Sequence, residues 1–228
     1  GYNYIVQGNI DEHHKKFPWQ AGIGTEESNT VGTRGIYETN DAQCHLAPTN
    51  RMPENVGTES GWQFYAARPF LAGLFYWTGF DYRGEPTPYG WPAIASQFGI
   101  VDLCGYPKDI FYYLKAWWGK EPVLHIGTHW NWRGKEGQPI KVVVYSNCDE
   151  VELFLNNKSL GKQTMLVNSH LEWSVVYEPG VLMAKGYKEG KETLQSKIET
   201  TGTEDAIVLT PDKTNISVSP DDISVITV

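Results

Sequence analysis

Two adjacent carboxylates, Glu26 and Glu27, sit in the segment Gly24-Thr25-Glu26-Glu27-Ser28. The run before them, Ala21-Gly-Ile-Gly-Thr25, is small and apolar and reads as a short strand. The chain therefore delivers a carboxylate at the C-terminal end of a strand, directly before a long loop. In parallel α/β barrels the reacting groups gather at that end, where a carboxylate can serve as nucleophile or as general acid–base. The same pair also fits two ordinary strand-end carboxylates, because a short motif without context has little specificity. The loop from Ser28 to Glu59 carries Arg34, Tyr37, Asn40 and His45. Loops of that length inside compact domains are usually functional or disordered.

A second segment with chemical potential is Phe75-Tyr-Trp-Thr-Gly-Phe-Asp-Tyr-Arg-Gly84. An aromatic wall beside charged groups suits a sugar ring, whose C–H faces stack on indole while its hydroxyls find hydrogen-bond partners. Read as a pattern alone, such a run fits a hydrophobic core equally well. Several other chemistries are missing from the sequence: it has no Gly-rich phosphate loop, no Gly-x-Ser-x-Gly nucleophile elbow and no His-Glu-x-x-His. His13-His14 lies in a charged stretch and reads as solvated surface. His125 and His129, on one face of a strand, would stand about 13 Å apart, too far for a shared metal. Cys44, Cys104 and Cys148 are too few and too scattered for a disulfide framework or a zinc site.

The elements that would position these residues change character along the chain. Eight of the nine tryptophans, at 19, 62, 77, 91, 117, 118, 130 and 132, precede residue 133, and only Trp173 follows. Before a boundary near Gly119–Pro122 the chain reads as strands alternating with helices, which implies a parallel sheet. Helices are expected at Asp11–Lys16, Glu59–Arg68 and Pro107–Trp118. The apolar run Leu71–Trp77 is expected to be a strand buried on both faces. Past the boundary, strands are expected at Val123–His129, Ile140–Ser146, Glu150–Leu155, His170–Tyr177, Val181–Tyr187 and Glu192–Thr200. Asn156-Asn157 is a plausible tight turn. This spacing of strands and turns reads as a β-sandwich of immunoglobulin type. Ala206–Leu209 and Ile223–Val228 are two further strand-like runs.

The composition limits the partners. Lys and Arg total 19 against 27 Asp and Glu, a net charge of −8 with no basic cluster, which argues against nucleic acid. Hydrophobic residues at 40% and aromatics at 13% exclude a disordered chain. No apolar run approaches the roughly 18–20 residues of a membrane span, and Gly1–Asn9 does not read as a signal peptide.

Longer segments resemble glycoside hydrolase family 2, the β-galactosidase family, in its Bacteroidetes type. Phe70-Leu-Ala-Gly-Leu-Phe-Tyr-Trp-Thr-Gly-Phe-Asp-Tyr-Arg-Gly-Glu-Pro-Thr-Pro-Tyr-Gly-Trp-Pro92 looks like that barrel's eighth strand and following loop. Phe98-Gly-Ile-Val-Asp-Leu-Cys-Gly-Tyr-Pro-Lys-Asp109 is similar to the entry into its last helix. His129-Trp-Asn-Trp132, the segment Asn147–Gly161 and His170-Leu-Glu-Trp173 resemble the immunoglobulin-like domain that follows. The resemblance implies the last part of a (β/α)8 barrel over residues 1–120, an immunoglobulin-like sandwich over 121–202, and a linker with the first strands of another sandwich over 203–228. It also implies that Glu26 is the catalytic nucleophile, with Glu27 the weaker candidate, and that Trp77 floors the sugar site. Asp81, Arg83 and Arg34 are candidate substrate contacts. It implies no cofactor or metal, a carbohydrate partner, and a periplasmic or extracellular location.

Two departures bear on function. A retaining glycosidase needs a second carboxylic acid roughly 5–5.5 Å from its nucleophile. In this family that acid belongs to an Asn-Glu pair, and the 228 residues contain no Asn-Glu. A barrel also needs about 250 residues. The chain is therefore expected to be an excerpt that is inactive alone and prone to homo-oligomerise or to pair with the rest of its parent. The second departure concerns specificity. β-Glucuronidases of the family carry Asn-x-Lys where this chain has Ser96-Gln97-Phe98, which favours a neutral sugar. A competing reading makes the 121–202 sandwich a non-catalytic binding or scaffold module, with Trp130, Trp132 and Trp173 as a carbohydrate platform.

Overall fold

The computed structural model describes residues 1–5, 8–27, 29–49 and 56–228. Ser28 and part of the loop expected to carry functional groups lie outside these residues. Three short strands, β1 (Tyr2–Asn3), β2 (Gly22–Glu27) and β3 (Leu71–Tyr76), form a parallel sheet in the order β1-β2-β3. Helix α1 (Ile10–Lys16) connects the first pair and α2 (Thr58–Ala66) the second. The side chain of Asn9 caps α1 by accepting from the Glu12 amide at 3.1 Å, satisfying one of the free donors of the first turn. The expected solvated His13-His14 pair is only half right, because His14 stacks flat on Phe70 at 3.8 Å.

Strand β3 departs from expectation in its burial. Ala72 and Phe75 face outward, and Phe75 is 64% exposed, so only one face of the strand is covered. Residues 77–108 follow without a regular element. They are held instead by isolated bridges that pair Phe80 with Val101, Arg83 with Ala95, and Val101 with Pro107. Gly99 is required there, since a Cβ would run into the backbone of Phe80, Asp81 and Val101. Helix α3 (Asp109–Trp118) begins two residues later than the expected Pro107, because Lys108 is still extended. Ile110, Tyr113, Leu114 and Ala116 form its buried stripe, and Gly119 follows as its cap.

The remainder is antiparallel. Strands β4 (Leu124–Ile126), β5 (Pro139–Ser146) and β8 (Leu171–Val176) form one sheet in the order β4-β5-β8. Strands β6 (Glu150–Leu155), β7 (Lys158–Thr164), β9 (Val181–Lys188) and β10 (Lys191–Glu199) form another, ordered β10-β9-β6-β7. Alternate residues of each, such as Val142, Val144 and Val175 from the first and Val151, Leu153 and Leu182 from the second, meet in one core. Asn156 and Asn157 both take positive φ, 50° and 66°, and make the two-residue turn from β6 to β7. Strand β7 was not expected from the sequence: Lys-Ser-Leu-Gly-Lys-Gln-Thr is an edge strand whose polar residues face solvent, so it lacks an apolar alternation.

Two expectations for this half are corrected. Trp130, Trp132 and Trp173 are 1%, 7% and 8% exposed and belong to the core, so they form no surface platform for carbohydrate. In the tail, Ala206–Leu209 is not a strand. Only β11 (Thr210–Pro211) and β12 (Ile226–Thr227) pair there, over two residues each.

The sandwich docks on the helices through one loop. Asn168, at φ 59°, accepts from the Trp62 indole through its side chain at 2.8 Å. Its carbonyl accepts from the Tyr113 hydroxyl and from Gln63, both at 2.9 Å. The Trp117 indole donates to the Ser169 carbonyl at 3.0 Å. Next to it, His170 bonds Glu59 of α2 through Nδ1 and Glu172 of β8 through Nε2. The bond to Glu59, and then that to Glu172, raises the His170 pKa above its ordinary 6.5 against the opposing effect of burial.

Because the folded-state pKa is the higher one, the docking contribution of His170 is complete below about pH 6.5 and is lost as pH rises through the raised value. The thermal midpoint of the chain should therefore fall over that interval, and His170→Gln should flatten the dependence. Parallel pH profiles for the two proteins would show that Glu59 and His170 do not act as a pair.

Candidate active site

The fates of Glu26 and Glu27 are decided by one extra residue in β2. Gly24 pairs with Leu74 and Glu27 pairs with Tyr76, so three steps along β2 match two along β3. Such a bulge interrupts the alternation of faces and re-aims the side chains beyond it. Glu27 turns toward α2 and is fully buried, and it accepts from the Tyr65 hydroxyl at 2.8 Å. A Cβ at position 24 would collide with that hydroxyl, so glycine at this position is what admits Tyr65. Burial raises the Glu27 pKa, although the bond from Tyr65 and the Ile5 amide pull the other way. The Glu27 carboxyl is thereby fixed away from solvent.

Glu26 is only partly buried and lies at the open end of the sheet. β1 pairs Asn3 with Glu26, which places Tyr4 beside it, and the Tyr4 hydroxyl donates to Glu26 Oε1. On the other side, the Trp77 amide donates to the Glu27 carbonyl at 3.1 Å, so Trp77 continues β3 directly beside the β2 terminus. Trp77 packs against Val31, Leu46 and Phe98, and its ring meets Tyr82 edge-on at 6.1 Å. The Tyr82 hydroxyl donates to Glu85. Burial, that bond to Glu85 and the nearby charge of Glu26 push its pKa up to about 12. Trp77 and Tyr82 therefore lie near the strand end that carries Glu26.

The other candidates lie elsewhere. Asp81 is turned inward: its carboxylate takes the Lys108 ammonium at 2.7 Å and the Gly99 amide at 2.8 Å, with both charged side chains under 10% exposed. Burial pushes Asp81 up and Lys108 down, and the ion pair opposes both shifts. Lys108 also donates to the Gln97 carbonyl, so this pair ties the long loop to the start of α3. Arg34 is engaged with Asp102 at 2.5 Å and lies over the Tyr106 ring. Arg83 is exposed, and its side chain has no hydrogen-bond or ionic partner among the described residues. Ser96 and Gln97, at the specificity position, are occupied by Tyr82, Thr33 and the Cys44 carbonyl. Among the described residues no group of three or more His, Cys, Asp or Glu could hold a metal ion.

The whole chain is 37% identical to a β-galactosidase of Bacteroides ovatus, of which it covers 29%. The chain is similar over its whole length to members of glycoside hydrolase family 2. It is also 40% identical over 151 residues, 64% of the chain and 15% of the relative, to a putative β-glucuronidase of Formosa agariphila. The crystal structure of a β-glycosidase from Bacteroides vulgatus superposes with a TM-score of 0.86 at 30% identity, over 96% of this chain and 32% of that one. A family 2 member from Bacteroides cellulosilyticus gives a TM-score of 0.74 at 28% identity, over 99% and 28%. The chain thus spans less than a third of the length of these relatives. Residues 137–194 match a family described as a domain of unknown function, DUF4982.

Tyr4, Tyr65 and Tyr82 were not singled out in the sequence. Tyr4 follows a strand of only two residues, too short to show a period. Tyr65 reads there as one more apolar member of the α2 stripe. Tyr82 was visible inside the aromatic run, but nothing in the pattern separates it from its neighbours.

Lys108→Met would leave the Asp81 carboxylate buried without its countercharge. The expected loss is about 3–5 kcal/mol in urea unfolding. Adding Asp81→Asn should restore most of it. An unchanged unfolding midpoint in the single variant would show that the pair does not hold the loop.

Proposed function

We propose that this chain carries the nucleophile of a retaining exo-β-glycosidase of β-galactosidase type, hydrolysing terminal β-glycosidic bonds. The observation that carries the reading is the pairing of a half-open Glu26 with Trp77 at neighbouring strand ends, while Glu27 is locked away under Tyr65. Glu26 attacks the anomeric carbon and the glycosidic oxygen leaves as it takes a proton from an acid. The covalent glycosyl-enzyme then yields to water deprotonated by the same group. That acid–base lies outside this chain. The Tyr4 hydroxyl donates to Glu26 and orients it for attack, and Trp77 stacks on the sugar face.

On this reading residues 1–120 are the C-terminal portion of a (β/α)8 barrel, and 121–202 form an immunoglobulin-like sandwich that braces it. Residues 203–228 open a further sandwich. The parallel order β1-β2-β3 with α1 and α2 as crossovers supports the first part, and the facing antiparallel sheets support the second. The docking loop at Asn168 supports a bracing role.

A neutral sugar is favoured. The relatives carry both β-galactosidase and β-glucuronidase names, and an acidic sugar needs a cation. Lys108 is spent on Asp81 and Arg34 on Asp102, while Ser96 and Gln97 hold the loop. Arg83, exposed and without an ionic partner among the described residues, is the remaining candidate for a hydroxyl contact, so the neutral preference rests on the missing Asn-x-Lys. A periplasmic or extracellular location and assembly with the rest of the parent, or with further copies, complete the proposal. The family resemblance supports the location, and the uncovered face of β3 supports the assembly.

A 2-fluoro β-galactoside inactivator offered to the full-length parent should add one sugar mass to the peptide containing Glu26, and Glu26→Gln should abolish labelling. Labelling at Glu27 or any other carboxylate would overturn the assignment. The 228-residue chain alone should hydrolyse aryl β-galactosides no faster than buffer does.

A further inference from the structure

The contact between the loop after β2 and the sandwich is not closed. Residues 30–38 and 47–49, the start of α3, and strands β5 and β8 surround a cavity of about 620 Å³. Glu26, Trp77 and Tyr82 do not line it. Its size falls within the range of roughly 300–1,000 Å³ that small-molecule sites occupy.

The charged groups that line this cavity have partners, Arg34 and Lys108 in Asp102 and Asp81 outside it. Glu38 pairs with Lys135 from one side of the opening. Glu172 pairs with Lys141 from the other, with the two side chains 46% and 65% exposed. Deeper in, Glu59 takes His170, and Asp109 takes the Tyr37 hydroxyl at 2.7 Å and His125 at 2.7 Å. An anion would have to displace one member of a pair to find a countercharge, and a cation would find only Asp109, already held by Tyr37 and His125. An apolar ligand would strip water from all of them without return. A ligand bearing neighbouring hydroxyls meets neither penalty. An ammonium with one partner keeps two donors, and a carboxylate with one or two partners keeps free lone pairs, so each ion pair presents a donor beside an acceptor. A vicinal diol presents the complementary set. Tyr145 and the edge of Trp132 supply apolar surface between the pairs, as a sugar's C–H face requires.

We propose that this interdomain cavity is a second saccharide site, which takes a neutral pyranose between the Glu38–Lys135 and Glu172–Lys141 pairs. The core side of the same loop connects it to the first site, because Val31 lines the cavity and also packs in the cluster that holds Trp77. The proposal does not depend on Glu26 being the nucleophile.

The test uses the 228-residue chain with methyl β-D-galactoside and methyl β-D-glucoside as probes and D-glucuronate as the charged comparator, read by saturation-transfer NMR and calorimetry. The neutral glycosides should bind with millimolar dissociation constants, and glucuronate should bind more weakly. Ala47→Trp, which projects a bulky ring into the cavity, should weaken binding at least about tenfold, or 1.4 kcal/mol. In a Trp77→Ala background, which lacks the first site's indole, Ala47→Trp should cause the same loss. If circular dichroism shows that Ala47→Trp is unfolded, the exposed double variant Lys141→Met/Glu172→Gln must give the same loss. The proposal is overturned if the folded wild-type chain binds neither glycoside, if glucuronate binds as tightly as they do, or if binding survives the cavity variants and disappears with Trp77→Ala.

Discussion

One extra residue in β2 sets the surroundings of two neighbouring carboxylates. In a regular strand Glu27 would share a face with Ile23 and Thr25. The bulge turns it instead onto the face of Gly24, where α2 offers the Tyr65 hydroxyl. Full burial then holds Glu27 toward its neutral form. Glu26 remains at the strand end with the Tyr4 hydroxyl on one side and Trp77 on the other. The arrangement depends on a missing side chain, since any Cβ at position 24 would exclude Tyr65. The part-open position of Glu26 and the buried one of Glu27 thus follow from one local distortion of the backbone.

The rest of the molecule fixes that strand end in place. The buried Asp81–Lys108 pair ties the loop after β3 to the start of α3, so the aromatic wall around Trp77 and Tyr82 is anchored at both ends. Removing two charges from water is costly, and this pair offsets the cost by also satisfying the Gly99 amide and the Gln97 carbonyl. Helix α3 in turn leans on the sandwich. Tyr113 and Trp117 direct polar tips into the Asn168–Ser169 loop while their rings stay in the helix stripe. The sandwich thereby buttresses the helices behind the candidate site and also walls the interdomain cavity.

Several expectations failed for physical reasons that the sequence does not display. Leu71–Trp77 reads as a strand buried on both faces, yet Phe75 lies open because nothing in the described chain covers that face. Strand β7 was invisible because edge strands tolerate polar residues on both faces. The sandwich tryptophans look like a sugar platform by composition, but their ring area is better spent filling the space between two sheets. Asp81 and Arg34 look like contacts for hydroxyls, and each instead answers a charge that is distant in sequence.

The sequence by itself determined the alternation of strand and helix before about residue 120 and the period-2 strands after it, because those patterns are local. It also determined that a carboxylate ends β2 and that an indole follows β3, since both are adjacent to the apolar runs that form the strands. Which of the two carboxylates faces the open end was left to the tertiary structure, because the answer depends on register against β3 and on Tyr65, 38 residues away from Glu27. The pairing of Asp81 with Lys108, and the partnered charges around the interdomain cavity, belong to the tertiary structure for the same reason. Electrostatic partners are chosen by proximity in space, and sequence spacing carries no record of it.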